Sequence, residues 1–260
     1  MVVVRVTGCA ARRRELGACL RSYRRLVAPE QVGLPAGGRR RTPGLRREEV
    51  ATLAGVGLSW YTWLEQGRVT ASGHVLESVG RVLGLDGAGR RHLRLLSAPA
   101  EPPPATPPAA DLVPLLADFA GPAAVLDHRL DIVAANPRWT RVWGEPRDVD
   151  PARRNVLWQL AAGPPAVPVD DPGPLMTALR RQFRMAANLY AGDERIAEVA
   201  ELLRADAPAY TPLWECRGIG AFGEPTVVVA GRELRAHLLE PAGRPGSALL
   251  FLAAADERGA

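Results

Sequence analysis

A chain of 260 residues is long enough for two domains that each bury a core. Its 33 basic residues, every one an arginine, face 28 acidic ones for a formal charge of +5. No stretch approaches the roughly 18 consecutive apolar residues of a membrane span, so the expectation is a soluble, cytoplasmic protein with no membrane partner. Cys9, Cys19 and Cys216 are too few and too scattered for a thiolate metal site or a disulfide framework. His74, His92, His128 and His237 show no ligand spacing, and no nucleophile elbow, zinc-protease helix or P-loop is present. The residues thus predict no metal, no cofactor and no catalytic site.

In chain order, the opening MVVVRVTGCA (1–10) has a short apolar run but no signal-peptide core ahead of Arg12, Arg13 and Arg14. It reads as an N-terminal extension, of the kind that a start codon assigned too far upstream would produce. A first helix is predicted over 11–27, with Leu16, Leu20, Tyr23 and Val27 on one face. The Gly- and Pro-rich loop 34–44 follows and carries Arg39, Arg40 and Arg41, which cannot all pack inward. They are either a solvated charge run or a set of phosphate contacts.

Residues 46–68 read as two short helices around a tight turn, the arrangement that fits a helix into the DNA major groove. Val50, Ala51 and Ala54 make the buried stripe of the first, and Tyr61 and Leu64 that of the second. Ala51 is placed where the two helices cross closest. Gly55 falls where the chain must leave the first helix with positive φ, which a Cβ would penalise. The same spacing would also suit a helical hairpin in an ordinary core. Charge separates the two readings: residues 1–97 hold 17 Arg against 7 acids, a balance of +10, and the rest holds 16 against 21, a balance of −5. A basic head on an acidic body is the footprint of a DNA-binding module. Two scaffold helices near 72–83 and 86–96 complete this module (11–97), with Val75, Leu76, Val79, Leu83, Leu93 and Leu96 as core.

The runs RRRTPGLRREEVATLAGV (39–56) and YTWLEQGR (61–68) resemble the xenobiotic-response-element-type helix-turn-helix regulators of bacteria. More narrowly, the chain resembles the branch whose C-terminal half is an MmyB-like ligand-binding domain. This resemblance implies a five-helix, lambda-repressor-like head that binds double-stranded DNA. With Tyr61 and Leu64 inward, the second helix turns Gly57, Leu58, Ser59, Thr62 and Trp63 toward DNA, while Arg46 and Arg68 flank it for the backbone. Leu58 is suited to a thymine methyl, and Ser59 and Thr62 to bases or phosphates. The set is unusually apolar. Family members tend to have a polar N-cap at Gly57 and a charged residue at Trp63, and Trp63 is equally readable as core. Gly67 is expected at the C′ position that ends the helix.

The segment 98–110, with six prolines, favours extended polyproline II and reads as a semi-rigid spacer of up to about 40 Å. A Pro-rich signalling ligand is the alternative, without flanking residues to recommend it. Residues 111–256 form the second domain, ahead of a tail at 257–260. A hairpin is predicted over 125–136, then helices from Pro137 (Trp139, Trp143), over 154–161 (Leu157, Trp158), 174–191 (Leu175, Leu179, Phe183) and 195–205. Strand-like runs at Thr226, Arg232 and Ser247 follow. The fold class is therefore mainly α, with an α+β second domain that is PAS-like: an antiparallel sheet holding helices on one face around an apolar pocket. Gly218, Gly220 and Gly223 spell GxGxxG, but the strand-like run that follows them, where a helix is needed, argues against a dinucleotide site.

The resemblance implies a fatty-acid-like apolar effector in this domain and a homodimer. Trp139, Trp143, Trp158, Trp214, Leu157 and Phe183 are candidate pocket residues, although aromatics at helical spacing are more often plain core than pocket wall. Arg153, Arg154 or Asn155, at a helix N-terminus, are candidates for a carboxylate head. Two other readings stay open: a C-terminal half that only dimerises, without a ligand, and an enzyme carrying a DNA-binding head.

Overall fold

The structure is a computed structural model that describes residues 3–35, 44–99, 112–190, 192–210, 218–241 and 246–254, with side chains from residue 10 onward. It divides into two compact units. The first comprises Met1–Pro102 with the short segments Asn188–Gly192 and Arg217–Ala221; the second comprises Pro103–Ala187, Asp193–Cys216 and Phe222–Ala260.

The first unit contains α1 (Val3–Leu26), α2 (Arg47–Ala54), α3 (Leu58–Glu65), α4 (Gly73–Val82) and α5 (Gly87–Ser97). Helix α1 begins well before the expected residue 11, so part of the supposed extension is helical. The expected apolar stripes are buried: Leu16 and Leu20 on α1, Val50 and Ala51 on α2, Tyr61 and Leu64 on α3, and Leu76, Val79, Leu93 and Leu96 on α4 and α5. Side-chain caps start the last two helices: Ser72 Oγ accepts from Val75 N at 3.4 Å, and Asp86 Oδ1 from Gly89 N at 2.7 Å. The turn between α2 and α3 forms as the chemistry requires. Gly55 has φ 70°, and Val56 N donates back to Ala51 O at 2.9 Å, which ends α2. A tighter constraint sits at Gly17, where α1 crosses α3: a Cβ there would overlap the Glu65 carbonyl. The sequence reading had looked for the small residue at Ala51 only.

The second unit is an antiparallel sheet with helices. Its elements are α6 (Val113–Ala117), β1 (Ala123–Asp127), β2 (Ile132–Ala135), α7 (Pro137–Trp143), α8 (Val156–Ala161), β3 (Val169–Asp170), α9 (Gly173–Leu189), α10 (Glu194–Asp206), β4 (Thr226–Val229), β5 (Arg232–Leu239) and β6 (Ser247–Ala254). The hairpin and the three late strands fall where the apolar, strand-like runs place them, whereas nothing in the sequence marks the short α6 and β3. Strand order is β2-β1-β6-β5-β4-β3. The last strand thus lies at the centre, paired with β1 from Ala123↔Phe251 to Asp127↔Ser247 and with β5 from Leu234↔Ala254 to Leu239↔Leu249. All five residues of β1 are buried, because α6 packs Leu112 and Leu116 against Ala123, Val125 and Leu249 on one side while α7 packs against the same strand.

Candidate functional site

Helix α3 presents two opposite faces. Tyr61, Leu64 and Glu65 are buried, while Leu58, Ser59 and Trp63 are exposed, Leu58 by 48% and Trp63 by 47%, with Thr62 half-buried beside them. Trp63 is therefore surface and not core. Gly57 is the exposed, extended N-cap residue, and with no side chain to cap α3 it leaves the first amide groups open. Gly67 ends the segment at φ 71°, and Arg68 follows on the surface.

Beside this face lies a depression of about 390 Å³ lined by Arg24, Arg46, Arg47, Glu48, Leu58 and Thr62. Arg46 caps α2 through its backbone, donating to Glu49 Oε2 at 2.7 Å, and its exposed guanidinium reaches Glu48 at 3.4 Å. Arg47 was not singled out from the sequence, although it shares the same basic run. Its Nε donates to Glu65 Oε2 at 2.7 Å, and Glu65 also accepts from Arg24 Nε at 2.5 Å. Glu65 is thus a fully buried carboxylate that ties α1, α2 and the proposed reading helix together. Burial alone would push its carboxyl upward, but the bonds from Arg24 and Arg47 outweigh that and hold it below the ordinary carboxylate range. Next to it, burial and then the Glu65 charge push the Tyr61 phenol up. A single acid among apolar positions on the inward face was the available signal for Glu65. Arg39, Arg40 and Arg41 lie outside the described residues.

In the second unit, the polar groups of the candidate ligand residues are largely occupied by neighbouring protein groups. Trp139 is fully buried, its ring 4.3 Å from that of Trp143, and its indole donates to Gln159 Oε1 at 3.2 Å. Gln159 in turn donates to Trp143 O at 3.0 Å. Leu157 and Phe183 are buried, whereas Trp158 is half-buried, with its indole on Asp206 at 2.8 Å. Trp214 lies outside the described residues. Of the three candidates for a carboxylate head, Arg153 pairs with Asp206 at 3.1 Å. Arg154 donates to Val149 O at 2.9 Å and Arg147 O at 3.0 Å. Asn155, fully buried, caps α8 through Leu157 N and donates to Arg129 O and Asp131 Oδ1.

A second polar cluster was given no role from the sequence. In the β1–β2 turn, Asp127 Oδ1 accepts from the backbone N of Arg129 at 2.8 Å and of Asp131 at 3.0 Å. The neighbouring side chains reach the start of α10: His128 Nε2 lies 3.0 Å from Asp193, Arg129 Nε 2.9 Å from the same carboxylate, and Arg195 Nε 2.8 Å from Asp131. Burial opposes ionisation of Asp193, but His128 and Arg129 hold its carboxyl below the ordinary value. Burial and then the charge of Asp131 push Asp127 up. The run DHRLD, with alternating charges at a hairpin turn, was the legible sign of this cluster.

The GIGAFG glycines open no helix, and β4 begins at Thr226 instead. Within the first unit, Ala221 N donates to Asp86 Oδ2 at 2.9 Å, and the Tyr23 hydroxyl meets both backbone groups of Ile219. Among the described residues, no group of His, Cys, Asp and Glu could hold a metal ion, and no helix is long and apolar enough to cross a membrane.

A family model for a helix-turn-helix domain matches residues 15–93. Another, for the MmyB-like transcription regulator ligand binding domain, matches residues 109–258. No curated protein matches the chain. On these grounds the chain belongs to the MmyB-like transcription regulators and joins a helix-turn-helix DNA-binding domain to a C-terminal domain of the ligand-binding type.

Proposed function

We propose that the protein is a cytoplasmic homodimeric regulator, without catalytic activity, that reads its operator with α3 and responds to a fatty-acid-like apolar effector in the C-terminal domain. The observation that carries the DNA half is the outward face of α3 beside the arginine-lined depression. Gly57, Leu58, Ser59, Thr62 and Trp63 meet base edges, while Arg46, Arg47 and Arg68 meet phosphates. Arg39, Arg40 and Arg41 add phosphate contacts from the loop. In this proposal the head is the module over 11–97, preceded by the start of α1, and it is followed by a Pro-rich spacer over 98–110 and a PAS-like domain over 111–256.

For the effector, energetics are sufficient. Burying an acyl chain yields about 0.8 kcal/mol per methylene, and swinging an equilibrium from 1:99 to 99:1 takes about 5.5 kcal/mol of differential binding. A dimer must hold its reading helices about 34 to 36 Å apart, so a small change in packing between protomers controls operator affinity. The supporting residues are Phe183, Trp158 and Leu157. The internal bonds of Trp139, Arg154 and Asn155 favour the rival reading, in which this domain dimerises without a ligand. Gel shift of the full chain against its own upstream DNA, with and without dodecanoate or a bacterial lipid extract, decides between them. A lipid-dependent change in affinity supports the sensor; unchanged affinity, with a dimer by native mass spectrometry and no bound small molecule, leaves dimerisation alone. Absence of any shift removes the DNA-reading proposal.

A further inference from the structure

Base discrimination in the major groove has two chemical routes. One is bidentate hydrogen bonding, by Arg or Lys to guanine and by Asn or Gln to adenine; the other is apolar contact with the C5-methyl group of thymine. From Leu58 to Glu65, α3 carries no Arg, Lys, Asn or Gln at all. The side-chain donors on its outward face are the hydroxyls of Ser59 and Thr62, which bond to either kind of base, and the single indole N–H of Trp63, which cannot form a bidentate pair. Gln66 comes after the helix, as its C-cap residue. What the face does present is apolar: Leu58 in the first turn and Trp63 one turn further, each about half exposed. Large apolar side chains left in water beside a cluster of arginines do not stabilise the fold. They suit a partner that is anionic at its rim and carries methyl groups within its groove. The arginines are in position for that rim, since Arg46 and Arg47 line the same depression as Leu58 and Thr62.

We infer that this protein selects its operator by C5-methyl groups, with Leu58 the principal specificity-determining residue and Trp63 the second. Thymines stand at the base pairs facing the first turn of α3, and the hydroxyls of Ser59 and Thr62 add orientation without choosing a base. The arginines supply affinity that is independent of sequence. This inference rests on the proposal that α3 reads DNA, and the test separates the two.

The full chain is used to select duplexes from a random pool. The selected duplex is then compared, by fluorescence anisotropy, with copies in which each thymine in turn is replaced by uracil, which removes the methyl and leaves every hydrogen-bonding group in place. At the thymines facing α3, uracil is expected to weaken binding about four-fold per methyl, the loss equivalent to one buried methyl or methylene group. Leu58→Ala is expected to bind the thymine and uracil duplexes alike. Because Leu58 is about half exposed and outside the buried core, the circular dichroism and melting of this variant should stay close to those of the parent. Selection of a defined duplex whose uracil copies all bind within two-fold of the parent overturns the methyl-reading inference and leaves DNA reading by α3 intact. The same holds for an unchanged thymine preference in both Leu58→Ala and Trp63→Ala. Failure to select or bind any duplex, even in dilute buffer, overturns DNA reading itself and this inference with it.

Discussion

The two units treat their candidate functional residues in opposite ways. In the first, the side chains proposed to meet DNA stand outward, and the machinery beneath them is buried and charge-paired: Leu58 and Trp63 on the surface, Glu65 inside between Arg24 and Arg47. In the second, the candidates Trp139, Leu157 and Asn155 are themselves inside, and their polar atoms are satisfied by neighbours such as Gln159 and Asp131. The difference is instructive. A site that binds a large partner must keep its contacts exposed, so exposure of an apolar residue is informative there. A site that encloses a small apolar molecule is built from the same aromatic and aliphatic residues as a core, and burial alone does not separate the two.

Truncation of Trp139 is the sharpest way to break that comparison. If its ring is core, Trp139→Ala destabilises the second unit by about 4 kcal/mol in chemical denaturation, whether or not lipid is present. A pocket wall would instead show a loss below about 1 kcal/mol with abolished lipid response. Glu65→Ala tests the corresponding inner residue of the first unit. It leaves the buried Arg24 uncompensated and is expected to cost about 3 kcal/mol. Glu65→Gln should recover part of that loss and flatten the acid dependence, because the native carboxylate, with its lowered pKa, contributes stability above about pH 4.3 that disappears as pH falls below it.

His92 gives a second pH test in the same unit. Burial, and then the charge of Arg12, lower its pKa to about 4, so the folded state keeps it neutral. The unfolded chain takes up the proton below about pH 6.5, and stability is therefore lost as pH falls from about 6.5 toward 4, by roughly 3 kcal/mol in all. Melting of the full chain across that window should follow this fall, and His92→Leu should lessen it. The smallest effect is expected at the rim. Arg68→Ala should leave stability within about 0.5 kcal/mol while reducing the slope of log affinity against log salt by about 0.9, the signature of one lost phosphate contact. An unchanged slope would take Arg68 out of the interface.

Much of the first unit was legible because its constraints are local. The helix-turn-helix spacing, the Gly55 turn, the two scaffold helices and the outward set of α3 all follow from periodicity and from single-residue conformational preferences. What escaped were partners distant in sequence. Arg24 and Glu65 are separated by 41 residues and Gly17 meets the carbonyl of Glu65, and neither proximity leaves a mark in local composition. In the second unit the hairpin and late strands were readable from their apolar, strand-like runs, but α6 and β3 were not. They span five and two residues, too short to establish a period.

By itself the sequence determined most of the longer helices and strands, that a basic head precedes an acidic body, and which side chains of α3 face inward and which outward. Tertiary structure alone decided that the last strand sits at the centre of the sheet, that Glu65 joins three helices, and that Asp193 and Arg195 close on the hairpin turn. The reason is physical: backbone preferences act over a few residues, whereas strand pairing and buried charge compensation depend on which distant groups fill the remaining space.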